Sequence, residues 1–74
     1  MADEAPLLIV IEIAGSNYSA YSPDLPGCVA TGKSSSEAKR NMRRAIDLHL
    51  QGLAEDDVAM PEPRSSAGYV TVDR

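Results

Sequence analysis

Apolar residues dominate the chain from Leu7 to Ala14, and they do so on both parities. Leu7, Ile9, Ile11 and Ile13 share one face of an extended segment. Leu8 and Val10 share the other, before Glu12 interrupts it. A strand that is apolar on both faces is usually covered on both sides and lies inside its sheet. Gly15-Ser16-Asn17 breaks the pattern as a turn, so a hairpin is expected, with Tyr18 to Ser22 as the second strand. Pro23-Asp24-Leu25-Pro26-Gly27 then forbids regular pairing, because proline lacks an N–H and glycine admits left-handed backbone. Cys28 to Lys33 reads as the third strand. Its Cys28, Ala30 and Gly32 form a small-residue face that lets a helix approach closely.

The periodicity changes at Ser34. Ser34 and Glu37 have the S-x-x-E spacing of a capping box, a helix start. From there Ala38, Met42, Ala45, Ile46, His49, Leu50 and Leu53 recur at helical spacing on one face. Lys39, Arg40, Arg43, Arg44, Asp47 and Gln51 take the flanks and the opposite face, and the helix is expected to end between Gly52 and Glu55. Residues 55–67 read as a loop, whose Met60-Pro61-Glu62-Pro63 favours extended backbone. Tyr69 to Val72 reads as a short fourth strand. The expected fold is α+β, β-β-β-α-β: a three-stranded antiparallel meander, a fourth strand parallel to strand one, and one helix on one face. A right-handed crossover through the helix and the two-faced apolarity of strand one favour the order 3-2-1-4.

Composition narrows the function classes. With 74 residues, the chain is read as one domain, residues 1–74, with residues 1–6 as a flexible N-terminus. A domain this small buries only about 60% of its unfolded surface, so a partner or a second copy is a plausible source of stability. Trp and Phe are absent, leaving Ile, Leu, Val, Met, Ala and three Tyr to build the core. The net charge of -4 argues against a general nucleic-acid binder and suits a basic protein partner. A lone cysteine, Cys28, forms no internal disulfide, which points to a reducing, cytoplasmic setting. The apolar run after the acidic start is too short and wrongly flanked for a signal peptide or membrane span.

The segment Tyr18-Ser19-Ala20-Tyr21-Ser22-Pro23-Asp24-Leu25-Pro26-Gly27-Cys28-Val29-Ala30-Thr31-Gly32 resembles the signature of the HicB antitoxin family. The resemblance continues through Ser34, Glu37 and Ala38, then Ala45-Ile46-Asp47-Leu48-His49-Leu50, and reaches Pro61-Glu62-Pro63. These pieces cover most of residues 8 to 63 in order. The resemblance implies a truncated RNase H-like fold, in agreement with the order 3-2-1-4. It also implies a partner, a small basic HicA-type toxin that cleaves RNA and that the antitoxin holds inactive. Many members carry a C-terminal DNA-binding domain. Here the sequence ends at Arg74, directly after the last expected strand, so DNA binding is doubtful.

The candidate sites follow from these elements. Tyr21, Pro23, Asp24, Leu25, Pro26 and Gly27 are expected to contact the partner, since rigid exposed loops are common binding sites. Leu8, Val10, Leu48 and Tyr69 are expected at a homodimer interface, because one helix covers only one sheet face and leftover apolar surface marks interfaces. Cys28 on a small-residue face reads as a buried hydrophobe. His49 lies in the helix's apolar stripe and has no second His or Cys to make a metal site, so no metal and no cofactor are expected. Lys39, Arg40, Arg43 and Arg44 read as a solvated helix face partly paired with Glu37 and Asp47, with a small RNA or acidic contact as the alternative. Glu12 is the only acid inside an expected strand, too few for two-metal RNA cleavage. The expectation is therefore a noncatalytic antitoxin. The alternatives are an orphan interaction module and a residual RNase H-like nuclease.

Overall fold

The computed structural model describes residues 6–74, and the expected N-terminal flexibility falls almost wholly outside them. Three strands form one antiparallel sheet: β1 (Val10–Ala14), β2 (Asn17–Tyr21) and β3 (Val29–Gly32), in the order β1-β2-β3. One helix follows, α1 (Ser35–Glu55). Gly15, at φ +65°, closes the β1–β2 hairpin in the left-handed region that glycine enters at no steric cost. The register places Ile11 opposite Ala20 and Ala20 opposite Ala30, so these three share one face. Val10, Tyr21 and Val29 form the corresponding row on the other face.

The helix start is built as its sequence requires. Ser34 has extended backbone, and its Oγ accepts the Glu37 N–H at 3.0 Å. The Glu37 carboxylate accepts the Lys33 N–H at 2.9 Å, one residue earlier than in the usual reciprocal cap. Asn41 donates its side-chain amide to the Thr31 carbonyl at 2.8 Å, tying the second helical turn to β3. α1 packs chiefly on β3, less on β2 and least on β1. Gly32 makes this approach feasible: a Cβ there would lie 2.8 Å from the Glu37 carbonyl carbon and 2.9 Å from the Ala38 Cα.

Ala20, Leu25, Cys28, Ala38 and Met42 are buried together, with Ile9, Ile11, Tyr18, Ala30, Ala45, Ile46 and Leu50 packed around them. Each expected core position of the helix is at least half-buried, while Leu48, off the stripe, is 70% exposed.

Two expectations about strand one are corrected. β1 starts at Val10 rather than Leu7, and it is an edge strand rather than a central one. The reason is that Tyr69 to Val72 pairs with no strand among the described residues, so the fourth strand of the order 3-2-1-4 is not shown. β1 therefore lacks a neighbour on its outer side and most of the helix's cover, and Ile13 is 76% exposed.

Candidate interaction surface

The β2–β3 connection is two consecutive turns. The Leu25 N–H donates to the Ser22 carbonyl at 3.1 Å, and the Cys28 N–H donates to the Leu25 carbonyl at 3.2 Å. In the second turn Pro26 and Gly27 hold the central positions, and Gly27 sits at φ +84°. Proline then glycine with positive φ is the pattern of a type II turn. Pro23, Pro26 and Gly27 are exposed, so they form the rigid outer surface of the connection.

The remaining residues expected at this surface divide. Tyr21 is exposed on the sheet face away from the helix, between half-buried Val10 and exposed Val29. Leu25 is 2% exposed and belongs to the core, so its expected role as a contact residue is corrected. A single leucine among two prolines reads as surface in the sequence, but the double turn folds it inward against Met42 and Ala38. Asp24 is half-buried and already engaged. Its Oδ1 accepts the Ser65 hydroxyl at 2.9 Å, and its Oδ2 accepts the N–H groups of Ser65 and Arg64, both at 3.2 Å. Partial desolvation pushes its carboxyl up, but the Ser65 and Arg64 hydrogen bonds and the Arg64 charge outweigh this and hold it below the ordinary value. The Asp24–Ser65 link, spanning 41 residues, was outside what sequence spacing reveals.

The expected dimer residues are not brought into one patch. Leu8 and Val10 are half-buried, Leu48 projects from the helix and Tyr69 is fully exposed on the C-terminal segment. Val10 points away from the helix, so it and Leu48 lie on opposite sides of the molecule.

The other candidates fall into ordinary roles. Cys28 is buried, and desolvation raises its thiol pKa. Glu12 is exposed. Among the described residues no three His, Cys, Asp or Glu side chains gather as a metal site, and no helix is long and apolar enough to cross a membrane. Lys39, Arg40, Arg43 and Arg44 line a shallow depression on the outer helix face. Of the two expected acidic partners only Asp47 pairs there, with Arg43 at 3.5 Å, because the Glu37 carboxylate is turned to the helix cap.

What this arrangement offers is a surface for another macromolecule: a rigid proline-edged loop beside an apolar cross-strand row. The chain is 37% identical over 62 residues to a 14.9 kDa protein from the rep–hol intergenic region of Haemophilus phage HP1, covering 84% of this chain and 47% of that protein. It thus spans about half the length of the phage relative. It is 44% identical over 57 residues to a UPF0150 protein of Helicobacter pylori, covering 77% of this chain and 79% of that one. Its fold matches a chain of a HicA3 and HicB3 toxin-antitoxin complex with a TM-score of 0.65 at 22% identity, over 80% of this chain and 72% of the other. The family model of the HicB_like antitoxin of bacterial toxin-antitoxin systems matches residues 6–73, and the chain belongs to that family.

Proposed function

We propose that this protein binds and neutralises a small, basic, RNA-cleaving toxin of the HicA type. The family match over residues 6–73 carries the reading, and the fold shared with a chain of a toxin–antitoxin complex supports it. The contact surface in this proposal is the open sheet face of Val10, Tyr21 and Val29 with the Pro23, Pro26 and Gly27 rim. It covers the toxin's RNA site by steric occlusion, and the net charge of -4 favours encounter with a basic partner. The pair acts where its RNA target is, in the cytoplasm. In the same proposal Tyr69 to Val72 joins β1, completing the order 3-2-1-4 of a truncated RNase H-like sheet.

Co-expression with the product of the adjacent gene tests the reading. A small basic protein that co-purifies, and whose RNA cleavage stops when this chain is added, is the expected result. Tyr21→Lys, on an exposed position, should weaken the complex about thirtyfold or more, the scale of a central aromatic contact. A neighbour that neither binds nor loses cleavage activity overturns the proposal.

A further inference from the structure

The face of α1 turned away from the sheet carries charges that the molecule itself leaves unused. Arg40, Arg44, Leu48, Gln51 and Glu55 lie four, four, three and four residues apart, so they form one stripe along the helix. All five are exposed, on the side opposite Ala38, Met42, Ala45 and Ile46, which meet the core. Leu48, 70% exposed, stands at the middle of the stripe. Lys39 and Arg43 reinforce the basic end, where they complete the shallow depression. The other end continues into Asp56 and Asp57, and the last helical turn has no basic residue. Among the described residues Arg43 pairs with Asp47, whereas Arg40, Arg44, Glu55, Asp56 and Asp57 take part in no ion pair.

The order of these charges selects the occupant. A polyanion such as RNA would match Arg40 and Arg44 but be repelled by Glu55 to Asp57, with Leu48 unused. A uniformly basic surface would match the acidic end and be repelled by the other. A second copy of α1 running antiparallel satisfies both ends at once, because the stripe reads basic, apolar, acidic in one direction and the reverse in the other. With a two-fold axis passing between Asp47 and Leu48, Arg40 of each helix stands level with Glu55 of the other, and Arg44 with Gln51. The two Leu48 residues are then offset by one helical rise, about 1.5 Å, and meet across the axis. Packed helices lie about 8–10 Å apart, within reach of facing arginine and glutamate side chains. Arginines brought to the acidic end also offset its opposition to the negative terminus of the helix.

We infer that two molecules pair through the outer faces of α1 as an antiparallel two-fold dimer, in which one self-complementary patch serves both copies. Of the residues expected at a dimer interface, this assigns Leu48 alone. The sheet face of Val10, Tyr21 and Val29 lies on the other side of the molecule and stays free. The inference therefore stands apart from the toxin reading.

Sedimentation of the full chain across a concentration series tests it. One helix pair is a small interface of the weak class, so the dimer is expected at about 0.1–1 mM protein. Two variants then exchange the charges: Arg40→Glu with Arg44→Glu, and Gln51→Arg with Glu55→Arg. All four sites are exposed and the new residues are good helix formers, so the helical circular dichroism should be unchanged. Each variant alone sets like charges against each other at both ends and should be monomeric. Mixed in equal amounts, the two should form a dimer at least as tight as the unsubstituted one, because every facing pair is again complementary or native. Leu48→Ser tests the axis independently of the charges and should weaken the dimer at least about tenfold. A protein that stays monomeric at about 1 mM, whether or not it binds an RNA oligonucleotide, overturns the inference. So does a mixture that remains monomeric, a pair of charge variants that each still dimerise, or a dimer indifferent to Leu48→Ser.

Discussion

The body, from Ile9 to Glu55, and the strap that follows it to Arg74 are held by different physics. In the body each element buries a face against another: Ala20 and Ala30 on the sheet meet Ala38 and Met42 on the helix. The strap makes few apolar contacts, with Pro61 and Ser65 the half-buried residues along it. Its specific tie is one carboxylate, Asp24, which gathers three donors from two adjacent residues. Strand propensity is present in both regions. Only the body buries its apolar side chains, whereas Tyr69, Val70 and Val72 of the strap are exposed, and apolar burial is what converts local preference into paired structure.

The largest expected effect lies in the body. Met42 is fully buried and is the largest side chain so enclosed. Met42→Ala removes its contacts with both sheet and connection and should cost about 3 kcal/mol, in the range for large-to-small core changes. For a domain of this size that is a major share of the total. Val70→Ala, a truncation in the strap, should shift the stability of the dilute monomer by less than about 0.5 kcal/mol. Urea denaturation of the two variants measures both. Equal losses would show that strap and body form one cooperative unit.

The same contrast explains what was legible in the sequence. The helix could be read, because Ala38, Met42, Ala45, Ile46, His49, Leu50 and Leu53 report a periodicity that burial enforces, and all seven are at least half-buried. The hairpin could be read from Gly15 and the flanking strands. The small face of Cys28, Ala30 and Gly32 correctly foretold the close approach of the helix. Two features escaped. Leu25 carries no periodic signal, since its burial comes from the turns around it. The fourth strand was inferred from the composition of Tyr69 to Val72 and the two-faced apolarity of strand one. Pairing is a long-range event that composition alone does not fix. The internal hydrogen bonds of Asp24 were hidden for a related reason: its donors lie about 40 residues away in sequence.

Loosening the single tie sharpens the comparison next. Asp24→Ala should abolish the hydrogen-exchange protection of the Arg64 and Ser65 amides and leave that of α1 unchanged. Acid should act in the same way. The anchored carboxyl has a lower pKa than the released one, so the released state binds more protons in the acid range. The tie is fully present above the ordinary carboxylate pKa and is lost as pH falls through the lower, anchored value. Amide exchange followed on titration to low pH should thus show Arg64 and Ser65 released while α1 persists. Simultaneous loss in strap and helix would count against a separate tie.

A small effect of opposite sign is expected at the junction of the two regions, where α1 ends. The Val58 N–H donates to the Leu53 carbonyl at 2.9 Å and the Asp57 N–H to the Ala54 carbonyl at 3.2 Å. This 6→1 and 5→2 pair is a Schellman cap, whose penultimate residue must be left-handed. Asp57 fills that position at φ +57°, where glycine is the usual occupant. Two costs meet there. A Cβ in the left-handed region is strained, although aspartate tolerates it better than most residues. A carboxylate beside Glu55 and Asp56 also opposes the negative end of the helix, whose last turn has no basic residue. Asp57→Gly relieves both. Against this, the greater freedom of glycine in the unfolded chain takes back part of the gain. The net should be a stabilisation of about 0.5 kcal/mol, seen as a rise of a few degrees in the thermal midpoint. Because the cap belongs to the body, Asp24→Ala should leave this gain intact. A gain that vanishes in the double variant would mean that the cap is held in place by the anchored strap, and that the boundary between the two regions lies beyond Asp57.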